Sequence, residues 1–208
     1  MEYIYFQNKI KNKEGGLAII GCGRSGTTYT TKLFNNIGYE IGHERLRKDG
    51  ISSWYLVSDQ KEVPLGPTYK QIKKLNLILV HQIRHPLMAI SSMQALGKPS
   101  WKFLSNEIPI NIGKDSKILM AMKYWYYWNL KAEKKASITY SVENIDSILP
   151  ELLKIANFSS SIKNEIVTNR KTNTRKHSDL NWSDLESKDY ELTQKIKKLG
   201  IKYGYRIS

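Results

Sequence analysis

Apolar positions along the chain fall into short solid runs that alternate with longer periodic stretches. Leu17-Ala18-Ile19-Ile20 is a solid run between Gly15-Gly16 and Gly21, the pattern of a strand buried on both faces and read here as the first core strand. From Thr27 to about Asn36, Tyr29 and Leu33 recur at helical spacing, and Gly38 supplies a stop. YEIGHERLRKDG then reads as a short strand entering a polar loop, and ISSWYLV fits either a strand or a buried helical turn. A second solid run, residues 77–80, leads to Pro86, which opens a helix at its first turn and is expected to carry it to Gly97.

Residues 98–114 hold Pro99, Pro109 and Gly113 among aromatics and are expected to form a long, mobile loop or lid. DSKILMAMKYWYYWNLKAEKKA has the length, the Asp-Ser start and the basic end of a long helix. Its Trp125, Tyr126, Tyr127 and Trp128 are expected to face the core. SITY reads as a strand and SVENIDSILPELLKIANF as a helix interrupted near Pro150. Past residue 158 the chain turns helical and polar, with a break before a final amphipathic helix over 184–199. Strands alternating with helices predict one α/β domain over 1–208, a central parallel sheet flanked by helices on both faces.

Composition adjusts this picture in three places. The 33 Lys plus Arg against 19 Asp plus Glu give a formal charge of +14, a field that attracts nucleotides, acidic glycans, nucleic acid or anionic membrane, or else is only solvated surface. The single cysteine, Cys22, cannot form an intramolecular disulfide and has a packing role by default. The first residues lack the basic start and apolar middle of a signal peptide, and no apolar run reaches the length of a membrane span, so a cytoplasmic protein is expected. The four histidines are scattered, and no metal site is expected.

The segment LAIIGCGRSGTTYTTKLF fits two phosphate-binding patterns imperfectly. Gly21-x-Gly23-x-x-Gly26 spells a dinucleotide fingerprint, while Gly21-x-x-x-x-Gly26-Thr27-Thr28 spells a phosphate loop with Thr27 in place of lysine. Both rest on a glycine-rich turn that leads from a buried strand into the positive end of a helix, where an anion belongs. A phosphate-loop hydrolase also needs an aspartate after a second strand to hold magnesium. The second strand here ends in HQIRHP, with Arg84, and a cation cannot ligate magnesium. The dinucleotide reading offers Glu40 or Glu44 for a ribose but gives Arg84 no role.

At these residues the chain resembles the sulfotransferases that use 3′-phosphoadenosine-5′-phosphosulfate (PAPS). GCGRSGTT looks like their 5′-phosphosulfate loop, and IRHPLMAISSM like their 3′-phosphate segment, an arginine followed eight positions later by a serine. GHE is similar to the tyrosylprotein and carbohydrate branch, and ITYSVENI to the family's RYEDL strand. The likeness spans about residues 17–158. TYSVENI lacks the usual acidic pair, and His85 stands where many members carry Asp or Asn.

The resemblance implies a phosphate-loop-like sulfotransferase architecture, with PAPS as donor, PAP (adenosine 3′,5′-bisphosphate) as product and no metal. It implies that Arg24 neutralises charge on the departing nucleotide, that Ser25, Gly26, Thr27 and Thr28 supply donors, and that Arg84 and Ser92 hold the 3′-phosphate. Glu44 is the candidate base, 20 residues after Arg24, with His43 the alternative because the cytosolic branch uses histidine. As neighbours on a strand they should face opposite sides, so only one is expected in the cleft. Arg175, Lys176 and His177 either close over the cofactor or form a solvated run. The implied acceptor is a hydroxylated, or amine-bearing, small molecule or glycan, and no nucleic-acid partner is expected. A nicotinamide oxidoreductase and a basic, non-catalytic nucleotide- or nucleic-acid-binding module are the competing readings.

Overall fold

The computed structural model describes the backbone of residues 5–6 and all of residues 16–158 and 179–207. In chain order the strands are β1 (Tyr5–Phe6), β2 (Leu17–Gly21), β3 (Ile41–His43), β4 (Gly50–Ser52), β5 (Ile78–Ile83) and β6 (Ile138–Ser141). The α-helices are α1 (Thr27–Asn36), α2 (Tyr69–Ile72), α3 (Pro86–Met93), α4 (Lys98–Ser105), α5 (Lys117–Lys135), α6 (Ile145–Ile155), α7 (Trp182–Glu186) and α8 (Tyr190–Lys202). The sheet order is β1-β6-β5-β2-β4-β3, parallel throughout except for the antiparallel edge strand β1. This is the single α/β domain, with a five-strand parallel sheet flanked by helices, that the alternation predicts. No helix among the described residues is long and apolar enough to cross a membrane.

Strand β2 shows why the run Leu17–Ile20 is apolar without alternation: all four residues are inaccessible to solvent. Leu17 and Ile19 face a core built with Leu33 and Phe34 of α1 and Leu149 and Leu152 of α6. Ala18 and Ile20 face the other core, with Met93 of α3, Trp125 and Trp128 of α5, and Ile196 of α8. The aromatic stretch of α5 is core, as expected for Trp125 and Trp128, while Tyr126 and Tyr127 are half-buried at its margin.

Four sequence expectations are corrected. Residues 98–105 form helix α4 rather than a lid: Pro99 sits in the first turn, where it removes no intrahelical bond, and Trp101, Phe103 and Leu104 are buried. The helix opened by Pro86 stops at Met93, short of Gly97. Helix α6 runs through Pro150 without interruption. The final helix is two: Asp184 belongs to a capping box at the start of α7, and Asp189 caps α8 by accepting the Leu192 N–H at 2.9 Å. ISSWYLV takes both of its readings, strand β4 and then one buried 3₁₀ turn, Trp54–Val57. Arg175, Lys176 and His177 lie outside the described residues.

Trp128 is buried completely, and its indole N–H donates to Trp54 O at 3.2 Å. Trp128→Ala is expected to lower unfolding free energy by about 3–5 kcal/mol in urea denaturation.

Candidate active site

In the sheet order, β2 sits between β4, on the side reached first by the chain, and β5, on the side reached later. Such a switch of direction opens a crevice beyond the strands' carboxyl ends. A cleft of about 750 Å³ lies there, and every parallel strand feeds it. Gly23, Arg24 and Gly26–Thr28 follow β2, and His43 and Glu44 end and follow β3. Trp54 and Tyr55 follow β4, Arg84 follows β5, and Val142 and Glu143 follow β6.

The loop after β2 is held from below. Gln82, fully buried on β5, donates from Nε2 to Ser25 O at 2.7 Å, while its Oε1 accepts from Thr30 Oγ1 at 2.6 Å and Tyr140 Oη at 2.8 Å. The Gly23 N–H donates to Tyr124 Oη at 2.7 Å, and the Ser25 N–H to Cys22 O at 3.2 Å. Cys22 lies under the turn with its thiol 3.4 Å from Asn129 Oδ1, and burial pushes its pKa up, consistent with packing rather than thiolate chemistry.

Arg24 takes a left-handed backbone, φ 73°, and Gly26 another, φ 91°, at the N-cap of α1. The positive φ at Gly26 favours glycine, and a Cβ there would lie 2.9 Å from Val142 Cγ2, so the Val142 side chain would have to shift. Ser25 is placed behind the loop: its side chain is fully buried, and its hydroxyl has no partner among the described residues. Thr27 and Thr28 stand in the first turn of α1, whose N–H groups have no intrahelical acceptor.

The two halves of the resemblance meet in this cleft. Arg24 Nε donates to Ser92 Oγ at 3.0 Å, and Arg84 Nη1 donates to Arg24 O at 3.2 Å. The Trp125 indole in turn donates to Arg84 O at 3.2 Å. On the far side Glu143 receives the His85 N–H and the Tyr205 hydroxyl, each at 2.9 Å, tying the end of the described chain to the segment that bears Arg84.

His43 and Glu44 both line the cleft, which corrects the expectation that only one would. Strand alternation stops at His43: Glu44 has φ 55°, and this left-handed step turns its side chain back toward the start of the Trp54–Val57 turn. His43 Nε2 is hydrogen-bonded to Thr27 Oγ1 at 3.1 Å and Thr28 Oγ1 at 3.2 Å, and burial pulls its pKa down. Glu44 keeps only 12% of its side chain exposed, and desolvation raises its pKa to about 7 against the donors Ser53 Oγ and the Trp54 N–H. Trp101 packs in the core. The sequence reading missed Gln82 and Tyr124, of which only Gln82 leaves a signal, as a polar residue interrupting a buried strand.

No family model matches the chain, and no curated protein matches it. Among solved structures the chain is similar to that of mouse sulfotransferase SULT7A1 complexed with PAP, at a TM-score of 0.46 and 12% identity over 84% of this chain and 67% of that one.

Glu44 binds its proton more tightly folded than unfolded, so the unfolded chain ionises first as pH rises. Stability is therefore lost between about 4.5 and about 7. At 1.36 kcal/mol per pH unit the loss is about 3 kcal/mol. Glu44→Gln is expected to unfold at higher urea than the unaltered chain at pH 8 and to converge with it near pH 4.5, as read by urea denaturation across pH.

Proposed function

We propose that the protein is a PAPS-dependent sulfotransferase acting on a hydroxyl or amine acceptor. The observation that carries the reading is the meeting of Arg24, Arg84 and Ser92 at one cleft, with Arg24 Nε on Ser92 Oγ and Arg84 on the Arg24 carbonyl. Two guanidinium groups and the open N-terminus of α1 suit a ligand with phosphates at both ends of a ribose. Arg84 stands where phosphoryl transfer would want a metal-binding carboxylate, which supports the sulfuryl donor over a nucleoside triphosphate. A nicotinamide reading leaves Arg84 and Ser92 without a task.

In the proposed reaction the acceptor oxygen or nitrogen attacks sulfur, the new bond to sulfur forms as the sulfur–oxygen bond to the 5′-phosphate breaks, and PAP departs. Arg24 offsets the charge gathering on that phosphate. Glu44 takes the acceptor proton, its pKa near 7 suiting a base at neutral pH. His43, neutral and hydrogen-bonded to Thr27 and Thr28, orients the loop hydroxyls. Lys176, by resemblance alone, is proposed as a further donor-binding residue.

PAP at 100 times its Kd is expected to stabilise the chain by about 2.7 kcal/mol, read as a rise in melting temperature. Arg24→Ala and Arg84→Ala should each weaken that binding about tenfold or more. Retention of full affinity by both variants would overturn the assignment. In a labelled-sulfate screen across glycans, phenols, lipids and peptides, Glu44→Gln should cost about a hundred- to ten-thousandfold in transfer while PAP still binds.

A further inference from the structure

Glu44 leaves β3 with its N–H donated to Ser52 O at 3.0 Å. Its left-handed step lays the carboxylate over the first residues of the Trp54–Val57 turn. Ser53 is shared between the two. Its Oγ accepts the Tyr55 N–H at 3.2 Å, as the cap of that turn, and donates to Glu44 Oε2. Because a lone pair already serves the turn, the hydroxyl proton has one well-placed acceptor, the carboxylate. The Trp54 N–H is directed at the same carboxylate. The other oxygen, Oε1, lies 3.9 Å from His43 Nε2.

We infer that Ser53 is a positioning residue: by occupying Glu44 Oε2 it reserves Oε1 as the oxygen that takes the acceptor's proton. The catalytic half of this inference rests on the sulfotransferase reading, and the Ser53–Glu44 linkage does not. Among the described residues, the titratable groups set against Glu44 are His43, from its own strand, Tyr55, from the turn, and Tyr124, from α5. All three are uncharged at neutral pH in this setting, since burial pulls His43 down and pushes both tyrosines up. Among the described residues, hydrogen bonds rather than a neighbouring cation hold the charged form of Glu44 against desolvation, and Ser53 is the larger of the two contributions.

The decisive measurement follows the titration of Glu44 by NMR with carboxyl-labelled glutamate, its resonance identified by loss in Glu44→Gln. Ser53→Ala is expected to move the midpoint up by about one pH unit or more, because a donor to the charged form is gone. Ser53→Thr, which keeps the hydroxyl, should titrate like the unaltered chain. Release of PAP from PAPS, with 2-naphthol as acceptor, should follow the same midpoint. At pH 7 Ser53→Ala should fall about fivefold or more and recover toward pH 9, with PAP affinity within about twofold.

A midpoint that stays or falls in Ser53→Ala overturns the inference, as does a loss of transfer equal at every pH that Ser53→Thr fails to restore. Should Ser53→Ala not fold, Ser53→Cys, a weaker donor of similar shape, must show an intermediate upward shift, and an unmoved midpoint there overturns it equally. If the unaltered chain fails to bind PAP, the sulfotransferase reading falls while the NMR midpoint still decides the Ser53–Glu44 linkage.

Discussion

The cleft depends on one buried amide. Gln82 sits in the middle of the sheet with no access to water, and its three hydrogen bonds reach the loop after β2, the first turns of α1 and strand β6. An unsatisfied amide at such depth would cost a few kcal/mol, so the three partners are constrained to remain where the amide can reach them. The backbone of Ser25 is the loop's share of that constraint. With it pinned, Arg24 and Gly26 adopt left-handed conformations on either side, and the Arg24 side chain is delivered across the crevice to Ser92. Under the proposed reaction, a pre-set loop needs little reordering when the donor's anionic groups arrive, and that is its catalytic value.

Under the proposed reaction, the same cleft sets stability against chemistry at Glu44. The carboxylate of Glu44, buried near Trp54 and Tyr55, costs stability through desolvation as pH rises from about 4.5 to about 7. Residues held in unfavourable environments by an otherwise well-packed frame are common at reactive sites. His43 faces the complementary situation: it stays neutral and engages two threonine hydroxyls, so the adjacent residues divide the tasks of proton transfer and loop orientation under the proposed reaction.

Much of the frame was legible because it obeys periodicity. The solid run of β2, the Thr27–Asn36 helix with its stop at Gly38, the Pro86 start and the aromatic helix all follow from local rules that burial reinforces. Helix α4 was hidden because Pro99 and Gly97 look like breakers until they are seen as the entrance to a helix, and the rings of Trp101 and Phe103 pack against α5 and the Trp54 turn, far away in the sequence. Asn181 with Asp184 makes one capping box and Asp189 a second cap, and nothing local says that each begins its own helix.

The site was legible as a set of residue types and spacings, not as an arrangement. Arg24, Arg84 and Ser92 could be singled out from the chain, but their mutual hydrogen bonds depend on strands β2 and β5 lying side by side. The orientation of Glu44 escaped because it turns on a single left-handed residue beyond the strand's end, where alternation no longer applies.

Tyr124 joins these two levels of organisation. Its ring is locked among Trp54, Trp101 and Trp128, and its hydroxyl accepts the amide of Gly23. Sequence drift in this aromatic core is consequently unequal: neighbouring rings can exchange for others of like volume, whereas position 124 answers to the geometry of the turn above it. A redesign that scored this helix on packing alone would erase a strut it had no reason to see.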